Sequence, residues 1–327
     1  MVPSKFRPDN FTLALGAVVI IASVWPCHGV AATTFEWLTK LAIGLLFFLH
    51  GARLSRTAIT AGATHWRLHS VVFAATFVMF PLLGLAFRPV LKGFLPAGLT
   101  DGFLFLCTLP ATVQSAIAFT SLARGSVSAA VCSASASSLI GIFLTPLLVG
   151  ILLPMAPEHA ASRWAPIRSI VLQLLVPFFL GHLSRYWIGR WVDRYKKTLG
   201  TVDRSSILLV VYTAFSEAII HGLWQRLHWP ALASLSAACT VLLAAALSVT
   251  TFIARRLGFS TEDEIAIVFC GSKKSLASGI PMAHVLFADP AVVGPMVLPI
   301  MIFHQLQLLV CAILAQRYAR RPDGAGN

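Results

Sequence analysis

The chain has 327 residues, of which 57% are hydrophobic and only 11% charged, with a mean hydropathy of +0.81. A soluble domain carries roughly a quarter charged residues, and a water-facing fold of this length cannot hide so much apolar surface, so lipid must solvate the exterior. The net charge of +13 would suit a nucleic-acid binder, but the cations lie in short clusters between apolar runs, which excludes that class and sets them at membrane surfaces.

A membrane helix needs about 20 mainly apolar residues. That window predicts ten spans, at 11–27, 36–53, 68–88, 101–122, 126–153, 167–189, 205–224, 231–254, 263–287 and 291–316. Lys5 and Arg7 before the first span imitate a signal peptide, yet the run ends in Trp25-Pro26-Cys27-His28 without a small-x-small cleavage site, so it counts as a span. The six cysteines have no C-x-x-C pair and read as small core residues.

Lysine and arginine give the spans a direction, because short cytoplasmic loops retain them. With the N-terminus inside, 17 of the 25 fall on inner segments. Arg88, Lys92, Arg163, Arg168 and Arg226 fall outside, and Lys40, Lys273 and Lys274 lie within spans. Both termini are therefore expected in the cytoplasm of a bacterial inner membrane. No soluble domain is left over, and residues 1–327 read as one transmembrane domain.

Ten spans divide into two sets of five, which must then run in opposite orientations, as inverted repeats of about 11–153 and 167–316. A short trace supports this. Ser115-Ala116-Ile117 precedes Leu122-Ala123-Arg124-Gly125 and Val127, and Ser278-Gly279-Ile280 precedes Phe287-Ala288-Asp289-Pro290 and Val292.

Two spans are interrupted at corresponding places. The fourth contains Leu109-Pro110-Ala111-Thr112-Val113-Gln114-Ser115, and the ninth contains Gly271-Ser272-Lys273-Lys274-Ser275-Leu276-Ala277-Ser278-Gly279-Ile280-Pro281. Proline removes a donor and glycine loosens the helix, so each segment is expected to unwind. Unwound backbone at membrane depth must line a cavity or be buried in protein, and its freed groups are natural ligands.

A charge at bilayer depth costs at least ~2.5 kcal/mol. At least one of Lys273 and Lys274 is therefore expected to face a cavity or to pair with an acid or an anion. Glu217, within the seventh span, could partner a lysine, carry a proton, or simply be an acid near the outer interface. The run Gly271-Ser272-Lys273-Lys274-Ser275 lacks the earlier glycine and the strand-loop-helix setting of a phosphate loop. In the fifth span, Ala129, Ser133, Ser137 and Gly141 recur every four residues, a spacing that lets helices pack closely, and Ser133 or Ser137 could also donate to a nearby site. No GxSxG, HExxH or paired-Asp signature points to an enzyme.

The segments FCGSKKSLASGIP at 269–281, LPATVQSAIAFTSLARGSVSAAV at 109–131 and YTAFSEA at 212–218 resemble the SBF-like branch of the bile acid:sodium symporter superfamily, which includes solute carrier family 10. The resemblance implies an all-α polytopic fold of ten helices in inverted five-helix repeats, with panel and core domains and broken fourth and ninth helices. It also implies alternating access with sodium-coupled uptake of a small organic anion.

Known sodium-binding positions of that superfamily fall near Gln114-Ser115 and Thr76, and on Ala130, Ala134, Phe269 and Lys273. Most sodium ligands are therefore missing, and a lysine ammonium could stand where the cation would. The expected site comprises Thr112, Gln114, Ser115, Glu217, Ser272, Lys273, Lys274 and Ser275. The expected partners are a small organic anion and membrane lipid, with a homo-oligomer compatible, and sodium enters through the resemblance alone. A sodium-independent or proton-coupled anion carrier and a non-transporting regulator of ion homeostasis are the other readings.

Overall fold

Backbone amides surrounded by lipid must find partners within their own segment, which favours helices for a chain of this composition. The computed structural model describes residues 10–53, 65–153, 171–222, 228–287 and 290–321, and among them it contains helices and no strand. The helices are α1 (Asn10–Val24), α2 (Gly29–Arg53), α3 (Trp66–Leu91), α4 (Ala97–Thr108), α5 (Gln114–Leu122) and α6 (Val127–Leu152). They continue with α7 (Val176–Arg194), α8 (Lys196–Ile220), α9 (Trp229–Arg256), α10 (Thr261–Gly271), α11 (Leu276–Leu286) and α12 (Pro290–Ala319). Lys5, Arg7, Arg56, Arg163, Arg168 and Arg226 of the charge pattern, and Ala288 and Asp289 of the short repeat, lie outside the described residues.

Among the described residues five helices are long and apolar enough to cross a bilayer: α2, α3, α6, α9 and most of α12. The other predicted spans fall short for separate reasons. Helix α1 has only 15 residues, and α8 carries Asp203, Arg204 and Glu217 among its apolar positions. Helix α7 ends in a charged stretch, Arg185 to Arg194. The fourth and ninth are each divided into two short helices. Large apolar side chains remain more than half exposed, among them Leu147 at 58%, Ile151 at 69%, Phe179 at 54% and Leu183 at 65%. Exposed surface of this kind is what lipid covers, and the chain is an integral, multi-pass membrane protein.

The chain forms two compact units, one of Met1–Ser55, Leu153–Leu232 and Ala277–Leu298, the other of Arg56–Leu152, Ala233–Leu276 and Pro299–Asn327. In the first, α2 and α7 lie backbone to backbone. A Cβ on Gly51 would run into the Phe178 carbonyl, and one on Gly181 into the Phe48 carbonyl, so glycine permits an approach no larger residue allows. Arg185 Nη1 donates to Ala52 O at 2.6 Å, Arg53 pairs with Asp203, and the Thr39 and Thr213 hydroxyls meet at 2.9 Å.

The second unit contains the interrupted fourth helix. Helix α5 ends at Leu122, Arg124 adopts a left-handed φ of 57°, and Gly125 N donates back to Thr120 O at 2.8 Å. A Cβ at Gly125 would run into Ile265, which accounts for the Arg-Gly order at this helix end. The start of α10 is capped by Ser260, whose Oγ accepts from Asp263 N at 3.2 Å. Nearby, the buried Glu264 accepts from Arg255 Nε at 2.9 Å and Nη2 at 3.1 Å, and from the Tyr318 hydroxyl at 2.7 Å.

Candidate functional site

Helix α4 ends at Thr108, Leu109 is extended at φ −71°, ψ 153°, and helix resumes at Gln114. Pro110 has no N–H to continue the ladder, which is why the break falls there. Every buried polar group this releases needs a new partner, and α6 supplies several. Thr145 Oγ1 donates to Thr108 O at 2.9 Å, and Ala111 N donates to Ser137 Oγ at 3.0 Å. The small-residue stripe on α6 is thus a packing face that also satisfies the break. Gly141 lies against Pro110, and a Cβ there would stand 2.6 Å from the Pro110 Cβ.

The second break runs from Ser272 to Ser275, between α10 and α11. Gly279 and Pro281 lie inside α11 and do not interrupt it. Ser272 Oγ donates to Val268 O at 2.6 Å, closing the last turn of α10. The Gln307 amide, from α12, takes both backbone groups of Lys274: Oε1 accepts from Lys274 N at 2.9 Å, and Nε2 donates to Lys274 O at 3.0 Å. The two breaks meet where Ser275 N donates to Pro110 O at 2.9 Å.

Both lysines are 0% exposed, yet their surroundings differ. Lys274 Nζ donates to three carbonyls, those of Thr76 at 2.8 Å, Cys107 at 3.0 Å and Leu109 at 2.7 Å, and stands 4.2 Å from the centre of the Phe80 ring. Three acceptors match the three donors of an ammonium. Lys273 Nζ donates to Ser115 O at 3.0 Å and faces the rings of Phe119 at 3.8 Å and Phe269 at 5.3 Å. Among the described residues no carboxylate forms a salt bridge with either ammonium.

The structure therefore brings together Thr112, Ser115, Ser272, Lys273, Lys274 and Ser275. The Thr112 and Ser115 hydroxyls are 2.6 Å apart at the start of α5, and Gln114, its first residue, is exposed. Glu217 belongs to the first unit, on α8, where His221 Nε2 lies 3.1 Å from its Oε1. Gln307 and Thr145 are participants that the sequence did not single out, and Thr76, marked only through the resemblance, contributes its carbonyl. Gln307 carried a weak signal as an amide in an apolar helix. A cleft of about 730 Å³ opens elsewhere in the second unit, bordered by Leu247, Thr251, Arg255, Arg256 and Arg317, and none of the break residues lines it.

A lipid-exposed helical protein with two helix breaks that meet around buried lysine ammonium groups has the construction of a membrane transporter. The model of the SBF-like CPA transporter family matches residues 9–320, and the chain belongs to that family. A Pseudomonas aeruginosa protein, PA2026, is 66% identical over 98% of this chain and 96% of its own length. The Escherichia coli protein named "Putative symporter YfeH" is 58% identical over 96% of this chain and 94% of its own. The Xenopus laevis sodium/bile acid cotransporter 7-B is 28% identical over 95% of this chain and 91% of its own. The family, the Escherichia coli relative and the Xenopus laevis relative are transporters by name, not enzymes.

The relatives' names raise the question of sodium, and the donors at the breaks do not fit it. The three converging carbonyls already accept from Lys274, and of the positions expected to carry ligands three hold Ala130, Ala134 and Phe269, all buried and apolar, and a fourth holds Lys273.

Proposed function

We propose that the protein is a secondary active transporter that moves a small organic anion by alternating access, with the meeting point of the two breaks as its binding centre. The observation that carries this reading is the pair of fully buried ammonium groups with no carboxylate partner among the described residues. Two like charges in a low-dielectric interior are costly, and an anion offsets that cost. Lys273 has one carbonyl acceptor for its three donors, so it is the group with capacity left for a substrate. The Thr112 and Ser115 hydroxyls and the N-terminus of α5 are the adjoining donors.

The wider architecture belongs to the same proposal: one transmembrane domain over 1–327, ten crossings in inverted repeats of about 11–153 and 167–316, and panel and core domains. Each compact unit draws residues from both halves of the sequence, which supports that arrangement. The charge asymmetry supports cytoplasmic termini and a bacterial inner membrane. Glu217, with its His221 neighbour, is proposed as an ion-linked group of the first unit.

The occupied carbonyls favour a second reading of the energetics, in which transport does not depend on sodium. Uptake of labelled organic anions into proteoliposomes tests both points. Saturable uptake supports an anion carrier, and its persistence when sodium is replaced by N-methylglucamine selects sodium independence. A protein that takes up none of a broad panel of anions under any gradient contradicts the reading.

A further inference from the structure

Three backbone carbonyls converge on Lys274 Nζ, and two prolines help to free them. In α3 the helix widens to a π turn at Ala75–Met79, Phe80 N donates to Ala75 O, and Pro81 has no N–H. Thr76 O is thereby left without a donor four or five residues ahead. Cys107 O would be served by residue 110 or 111, but the first is Pro110 and the second donates to Ser137. Leu109 O lies in the extended stretch after α4. The oxygens therefore belong to α3, to the last turn of α4 and to the first break, while the cation that fills them comes from the second.

We infer that the carbonyls of Thr76, Cys107 and Leu109 form a monovalent-cation site whose resident cation is the Lys274 ammonium, a tethered ion in place of a dissolved one. Hard backbone oxygens that replace a hydration shell are what a monovalent cation needs. At 2.7–3.0 Å their spacing is that of N–H···O hydrogen bonds, so free ammonium and methylammonium are the closest substitutes. Covalent attachment makes occupancy independent of the cation concentration outside. The site then holds α3 and both breaks together throughout, whatever gradient the membrane carries.

This inference rests on reading the breaks as the binding centre, but its test uses no anion. The full-length protein is purified in detergent, and its thermal unfolding is followed in choline chloride with added ammonium, methylammonium, potassium or sodium chloride. Wild type is expected to unfold at the same temperature in every salt at equal ionic strength. Lys274→Ala opens the space beside the carbonyls. It is expected to unfold several degrees lower in choline and to recover most of that shift, saturably, with millimolar ammonium or methylammonium. Lys274→Met fills the space without charge and should not be rescued. A Lys274→Ala protein indifferent to every cation overturns the inference. So does a wild type stabilised saturably by sodium over choline, and that arm decides even if the alanine variant does not fold. Failure here leaves the anion reading at Lys273 standing, because that reading is scored by anion binding and uptake.

Discussion

Gln307 holds the backbone of Lys274 by both of its groups, accepting from the N–H at 2.9 Å and donating to the carbonyl at 3.0 Å. One side-chain amide thus replaces the helical partners that the second break removes, and the same Nε2 lies 2.8 Å from His304 Nδ1 on its own helix. Replacing Gln307 with leucine removes both bonds in a site where Gln307 is 0% exposed. The expected loss is about 1–3 kcal/mol for each orphaned group, read as a lowered midpoint in thermal unfolding. An unchanged midpoint would mean that water or a neighbour satisfies the break equally well.

Glycine positions on α6 should separate packing from helix propensity. Gly141→Ala sets a methyl group against Pro110 at 2.6 Å, a contact that requires the break to shift, and overpacking of this kind costs about 1–3 kcal/mol. Gly150, on the same helix, has nothing within 4 Å of a built Cβ, so Gly150→Ala should instead gain about 0.5–1 kcal/mol from the lower entropy of alanine. Opposite signs in a melting comparison are predicted. The same sign for both would remove Gly141 from the account of the break.

Around Glu264, the phenol should matter more than the guanidinium. Tyr318 donates to a carboxylate that is 6% exposed, and Tyr318→Phe should cost about 1.5–3 kcal/mol as the loss of a hydrogen bond to a charged group. The Arg255 side chain is 67% exposed, so Arg255→Met should cost under about 1 kcal/mol and less still in high salt. Unfolding of the two variants at low and high ionic strength checks the order. A larger loss at Arg255 would contradict it.

The helix breaks were legible in the sequence because their cause is local. Pro110, together with Gly271 beside two lysines, interrupts apolar runs, and the insertion cost of a charge singles out Lys273 and Lys274 without any fold. The division of labour between the lysines was not legible. Adjacent in sequence, they point to different acceptors because the chain is unwound between α10 and α11, and only the folded chain shows that the Thr76 carbonyl faces Lys274. Pro81 held half of that information, but a proline in an apolar span reads as a kink until the π turn and the freed oxygen are seen together. The stripe on α6 was legible as a packing face. A serine of the stripe was also legible as a donor to a nearby site, but that Ser137 accepts from Ala111 N and Thr145 donates to Thr108 O depends on a long-range pairing that no spacing encodes. Apolar length alone does not delimit helices such as α8, which carries Asp203, Arg204 and Glu217 among its apolar residues.

The central claim is that Lys273 offers its ammonium to an anion at the meeting point of the two breaks. Binding of an organic-anion panel to purified wild type, Lys273→Met and Lys274→Met, measured by thermal shift and titration in sodium-free buffer, addresses it most directly. The account predicts that at least one anion stabilises wild type without sodium. It also predicts that Lys273→Met weakens that anion by about 10- to 150-fold, as expected for losing one charge-assisted hydrogen bond of about 1.5–3 kcal/mol. Equal affinity in wild type and Lys273→Met, or no anion bound by wild type at all, would contradict it.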